Sequence, residues 1–443
     1  MTSLAGAGPF ADTSIADLAD RLRTGQTTAR AIAEAALTAA DELGPALNCY
    51  VTVDHDGALR AADQADRELA AGIDRGPLHG IPVGVKDLID TAGLRTTMGS
   101  RHFADHIPTT DAAVVVSLRQ VGAVIIGKTH THQFAYGPTG DVAHVGPARN
   151  PHDPTRMTGG SSSGSAAALA AGLLPAALGT DTGGSVRIPA ALCGVVGLRP
   201  TQGAVPTTGV FSLSTTLDTV GPMAATVADT ALLWSALTGR PTRPASVDGL
   251  RIGVVRSDQT DRLVPSQALA LDTALTALRS AGFTLIDTPM PNLADWARHY
   301  LEIIGPEARA THADRVADAP DDFEPDVLAR LATAADVPAW RYVATLRTRA
   351  ALRDDPPSDI LVLPTVPIEA PPVGARDTDV GAGWTDPGAA LLALNSPWSL
   401  LGLPAISIPI PGTSLPGSVQ LVGRAGGEAE LLAVAARLSL SGG

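Results

Sequence analysis

The sequence predicts an α/β protein: a central mixed β-sheet flanked by helices, with a helical insertion. Three observations lead there. Across residues 80–238, short apolar runs alternate with Gly-rich turns and small-residue helical stretches, as in a sheet covered by helices on both faces. Across about 290–353 the sequence becomes more charged and mostly helical, carrying Trp296, Tyr300, Trp340 and Tyr342. Apolar strand-like runs then return at 359–365 (DILVLPT) and 405–410 (AISIPI).

The elements follow in chain order. Residues 14–71 read as helices: Ser14 is placed to cap a segment with apolar Ile15, Leu18 and Leu22, and Thr28 precedes the alanine-rich run 29–40. In the core, about 72–255, the runs 81–85, 123–126, 174–179 and 252–255 read as strands, and 266–281 then reads as an amphipathic helix. The insertion is expected to lie over the sheet and line a pocket. The core returns across about 358–440 and closes with a helix at 428–438. One mixed core with an inserted lobe suits 443 residues better than three separate domains.

Composition narrows the function. With 45% hydrophobic and 17% charged residues the chain can bury a sizeable core. A net charge of −13 argues against nucleic acid or an anionic membrane as partner. Cys49 and Cys193 cannot build a disulfide framework, and no Cys/His cluster has zinc spacing. Residues 1–14 lack the basic start and apolar run of a secretory leader. The longest charge-free stretch, 387–423, holds six prolines, so it cannot cross a bilayer as a helix. The expectation is a cytoplasmic monomer or homodimer acting on a small molecule, without cofactor or metal.

Only two of the 32 basic residues are lysines, Lys86 and Lys128. The rest are arginine, as if lysine had been replaced wherever either serves. Arginine stays protonated, whereas a desolvated lysine can be neutral near pH 7 and accept a proton. Lys86 closes an apolar strand in LHGIPVGVKDLID (78–90), where an ordinary solvent-facing lysine is not expected. The plain alternative is an ion pair with Asp87 or Asp90. Lys128 reads as a lysine that merely escaped the bias.

Two further segments carry chemical signals. GGSSSGS (159–165) lacks the lysine of a P-loop. It contains G-x-S-x-G centred on Ser162, but a nucleophile elbow needs a strand just before the serine. The preceding NPHDPTRMT (150–158), with two prolines and two charges, reads as loop. A flexible linker is equally unsuitable, because an alanine-rich helix follows directly. GTDTGGSVR (179–187) sets two glycines before Ser185, so neighbouring N–H groups can converge on an oxyanion. Ser185 is a candidate nucleophile, with Thr182, Gly183 and Gly184 as candidate donors.

Together the three segments resemble the amidase signature family. HGIPVGVKD, GGSSSGSAAALAAG and LGTDTGGSVRIPAALCGVVGLRPT appear in the family's order, followed by SLSTTLDTVGPMAATVADTALL from Ser212, LGLPAISIPIP from Leu401, LPGSVQLVG from Leu415, and Glu428. The resemblance spans about 45–255 and 358–440. It implies a Lys–Ser–Ser mechanism: Ser185 as nucleophile, Lys86 as neutral base, and Ser161 relaying the proton between them, through an unusual cis peptide. Ser162 becomes a supporting hydrogen-bond partner. Tyr136 and Gly137 are implied to lie beside the acyl site. The resemblance implies an amidase acting on small or aryl amides, with carbamates and esters within reach of the same machinery. The alternatives are the glutaminase subunit of a tRNA-dependent amidotransferase and a non-catalytic binding homologue. The former typically carries a tyrosine- and lysine-rich stretch where residues 341–357 here hold one tyrosine and no lysine. Against the latter, Lys86, Ser161 and Ser185 are all present.

Overall fold

Eleven strands run through the described residues: β1 (Tyr50–Val53), β2 (Pro82–Lys86), β3 (Val124–Thr129), β4 (Ala176–Thr180), β5 (Val196–Arg199), β6 (Val220–Ala224), β7 (Arg251–Arg256), β8 (Thr284–Pro289), β9 (Ile360–Pro364), β10 (Ala405–Ile410) and β11 (Gly417–Val422). They join in one sheet ordered β1-β3-β2-β4-β6-β5-β10-β11-β9-β7-β8. β2 is parallel to both neighbours, β3 and β4, while β4, β6, β5, β10, β11 and β9 pair antiparallel in succession. The sheet is therefore mixed, as the sequence predicts. This computed structural model describes residues 2–240, 245–247, 249–354 and 360–440, so Asp359, the first residue of the predicted strand 359–365, lies outside them.

Every residue of β2, β3 and β4 is buried, which their near-continuous apolar sequence requires of strands covered on both faces. Ser14 caps the helix Ile15–Arg23 in a full capping box with Asp17, and Thr28 accepts from the Ala31 N–H to start Ala29–Glu42. The region 14–71 is not wholly helical, however. The β-branched and aromatic run Tyr-Val-Thr-Val forms β1, an edge strand antiparallel to β3.

The charged stretch forms the helices Leu293–Thr311, Ala313–Asp318, Pro325–Ala334 and Ala339–Asp354. The first buries Tyr300, Ile303, Ile304 and Ala308, a stripe at helical spacing. Its Glu307 fastens it to the core, accepting from Ser214 Oγ at 2.5 Å and the Thr216 N–H at 3.1 Å, and to the insertion's last helix, accepting from the Tyr342 hydroxyl at 2.8 Å. No helix among the described residues is long and apolar enough to cross a membrane.

Candidate active site

Lys86 ends β2, the third of the eleven strands in sheet order, and has no solvent exposure. Its Nζ lies 2.7 Å from Ser161 Oγ and 2.8 Å from Thr180 Oγ1, hydrogen-bonded to both. The alternative pairing with Asp87 does not occur. That carboxylate instead accepts from the Thr97 hydroxyl at 2.5 Å and from the Thr97 N–H. Burial holds the Lys86 amine well below its usual range, with Asp181 and Asp218 opposing the shift from a distance. The group is thereby biased toward the neutral amine.

The serine-rich segment is wholly buried and crosses between β3 and β4. Ser161 follows a cis peptide bond from Gly160. Ser162 bonds both backbone groups of Thr180, donating from Oγ to its carbonyl and accepting from its N–H, each at 3.2 Å. Ser163 bonds His130, and Ser165 donates to the Leu178 carbonyl at 2.9 Å. The elbow reading also lacks its histidine, because His299 pairs with Glu302 and His312 packs against Phe134.

Ser185 lies across from this segment, its carbonyl accepting from the Ser162 N–H at 3.1 Å. The turn that carries it is built around Asp181. This buried carboxylate accepts from the Gly184 N–H at 2.9 Å, the Val186 N–H at 3.3 Å, Arg187 Nε at 3.0 Å and Arg199 at 3.0 Å. Burial pushes the Asp181 carboxyl up, but Arg187 and Arg199 more than offset this and hold it well below the carboxylate range. The bond to Asp181 commits the Gly184 N–H and withdraws it from the expected oxyanion donors.

Ser185 opens on a cavity of about 560 Å³ whose wall also carries Tyr136, Gly137 and Tyr300. A side chain at Gly137 would collide with the His132 ring at 2.1 Å, and one at Gly183 with the Tyr300 hydroxyl at 2.1 Å. Both positions therefore need glycine. The insertion lines the cavity as expected, through its helices Leu293–Thr311 and Pro325–Ala334. Of its five aromatic residues, Phe323 included, only Tyr300 reaches the wall. Trp296 stacks edge-on against Trp398, Tyr342 bonds Glu307, and Trp340 is 68% exposed.

Sequence reasoning missed two residues and one contact. Thr180, the second hydroxyl on Lys86, stands five positions before Ser185 and carries no signal of its own. Asp181 could have been found, since an acid and an arginine flank the glycine turn in GTDTGGSVR. The proximity of Tyr300 to Gly183 joins residues 117 positions apart and is invisible in sequence.

A model of the Amidase family matches residues 31–432. A glutamyl-tRNA(Gln) amidotransferase subunit from Carboxydothermus hydrogenoformans is 33% identical, over 95% of this chain and 96% of its own. Among solved structures, one described as an amidase is 33% identical with a TM-score of 0.91, covering 97% of this chain and 100% of its own. The peptide amidase of Stenotrophomonas maltophilia is 29% identical with a TM-score of 0.83, covering 98% of each chain.

Proposed function

The chain belongs to the amidase family, and from that premise we propose a serine amidohydrolase that cleaves C–N bonds of small or aryl amides through an acyl-enzyme on Ser185. Ser185 Oγ attacks the carbonyl carbon while its proton passes to Ser161 Oγ, and the Ser161 proton passes to Lys86 Nζ. The N–H groups of Thr182 and Gly183 receive the oxyanion. As the C–N bond breaks, the relay returns a proton to the leaving nitrogen. Water then attacks the ester carbonyl by the same route and frees the acid. The observation that carries this reading is the Lys86–Ser161 contact: a fully buried amine whose two hydrogen-bond partners are hydroxyls. Burial favours its neutral, proton-accepting form.

Leu213, Leu301, Ile304 and Leu392 on the cavity wall support an apolar or aryl acyl group. Carbamates and esters present the same carbonyl and belong to the proposed range. A fluorophosphonate probe tests the assignment. Labelling of the intact protein that disappears in Ser185→Ala is expected, and labelling that survives the substitution refutes it. A panel of aliphatic amides, anilides, esters and aryl carbamates then ranks the substrates.

A second reading is the glutaminase component of a tRNA-dependent amidotransferase, favoured by the identity to the Carboxydothermus protein over nearly the whole chain. Arg330 and Asp386 on the same wall offer one charge of each sign to zwitterionic glutamine. Glutamine hydrolysis that appears only with partner proteins and tRNA would decide for it.

A further inference from the structure

Four charged side chains stand on the wall of the cavity that Ser185 opens on, and three of them are engaged within the protein. Arg298 donates to Asp295 at 2.9 Å, Glu302 accepts from Arg341 at 2.8 Å, and Asp386 accepts from the Gly388 N–H at 2.8 Å. The fourth, Arg330, has no hydrogen bond or ion pair among the described residues. Its own helix, Pro325–Ala334, offers it a partner. Asp326 stands four residues earlier on the same face, in the acid-before-base order that such pairs prefer.

Asp326 is taken instead by Arg376. The Arg376 guanidinium donates from Nε to Asp326 Oδ2 at 2.7 Å, and from Nη2 and Nη1 to Asp141 at 3.0 and 3.2 Å. Its Nη1 also donates to the Ala375 carbonyl at 2.7 Å. The two carboxylates differ in setting: the Asp141 side chain is 1% exposed and that of Asp326 41%. Asp141 follows Pro138 of the cavity wall by three residues and also accepts from the Gly374 N–H at 2.8 Å. One planar fork thus serves a buried acid and a half-exposed one together, which the point charge of a lysine cannot do.

We propose that Arg376 is a positioning residue for substrate recognition: by engaging Asp326 it keeps Arg330 from pairing along its own helix, and so holds a free guanidinium on the cavity wall for an anionic substituent of the acyl group. This rests on the reading of Ser185 as nucleophile and of its cavity as the substrate site. The preferred substrate is then an amide whose acyl part has an apolar body, against Leu213 and Ile304, and a negatively charged end.

The test uses mono(4-nitroanilides) of the dicarboxylic acids from succinic to adipic, beside 4-nitroanilides of the neutral monocarboxylic acids of equal chain length. Wild type should favour the best anionic substrate by about tenfold or more in kcat/KM, and Arg330→Met should abolish the preference. Arg376→Lys leaves a cation with the buried Asp141, which protects the fold, but releases Asp326. The preference should then fall about two- to fivefold, in KM and not in kcat, as Asp326 competes for Arg330. Asp326→Asn alone should keep the wild-type preference, and Asp326→Asn added to Arg376→Lys should restore it. A wall that merely loosens behaves otherwise, because Asp326→Asn cuts the same link. An unchanged preference in Arg376→Lys overturns the role of Arg376, as does an equal loss in Asp326→Asn. A wild type that labels with a fluorophosphonate at Ser185 yet shows no preference for the anionic anilides overturns the proposal alone. A wild type that does not label at Ser185 overturns the underlying reading as well.

Discussion

Asp181→Asn should unfold the nucleophile's turn before it disturbs any substrate contact. Asp181 is buried with Arg187 and Arg199, none of the three having solvent exposure. An amide at this position keeps the shape but loses the charge, leaving two guanidinium groups in the interior without their anion. Breaking a buried pair in this way costs about 3–5 kcal/mol. Unfolding entropy of about 2.1 cal/mol/K per residue, over 443 residues, converts each kcal/mol into about 1 °C. The variant should therefore melt about 3–5 °C below wild type near pH 7. It should also label more slowly with a fluorophosphonate, since the carboxylate holds the Gly184 and Val186 N–H groups on either side of Ser185. The pH dependence has a definite sign. Because the folded carboxyl is held below its ordinary 3.8, its stabilisation is complete above that value and fades as pH falls toward the lowered one. Wild type and variant should thus converge in acid. Melting within about 1 °C of wild type near pH 7, together with unchanged labelling, would refute this account of the turn.

Lys86→Met should lower kcat/KM by about 10²–10⁴, the usual contribution of a general base. Because burial holds the amine well below 10.5, wild-type turnover should rise with pH as the amine loses its proton and level off well short of that value; a profile still climbing at pH 10.5 counts against the assignment. Tyr300→Ala, on the cavity wall, should cost at least about tenfold in kcat/KM for roughly 1.4 kcal/mol of lost contact. Trp340→Ala, at an exposed position, should stay within about twofold. Ser162→Ala should cost about 1–3 kcal/mol in denaturant melts by orphaning the Thr180 backbone groups, yet keep its Ser185 labelling.

The strands beside the site are the most legible in the sequence because they are short, apolar and fully covered. The predicted runs 81–85, 123–126 and 174–179 overlap β2, β3 and β4, and the predicted helix 266–281 overlaps Pro265–Ser280. β6 is not legible, since Gly221-Pro222 reads as a turn. The structure accommodates it because β5 pairs only with Met223 and Ala224, beyond the proline. β1 is lost inside a helical region because four residues are too few for a period to show. In the site, Lys86 stands out by composition and Ser185 by its glycines, but Ser161 becomes distinguishable from Ser162 and Ser163 only through resemblance. Its contact with Lys86 spans 75 residues and depends on β2 and β4 lying side by side, which no local pattern encodes.

The two lysines show what a compositional bias selects. Lys128 reads as incidental in the sequence, yet it too is fully buried, on β3. Val85 pairs with Lys128 and Lys86 with Thr129, so the two amines leave opposite faces of the sheet. Lys128 Nζ donates to the Ile89 carbonyl and, at 3.2 Å, to Thr91 Oγ1, which pins the turn that begins at Lys86. Burial pushes its amine down to about 8, with Asp87 and Asp90 opposing the shift. A broad planar guanidinium cannot replace a point donor between one carbonyl and one hydroxyl. Lysine thus suits position 128 for the space available, and at 86 the proposed mechanism would add a need for a neutral amine. The bias marks both positions alike, and only the partners separate them: a carbonyl on one face of the sheet, a serine hydroxyl on the other.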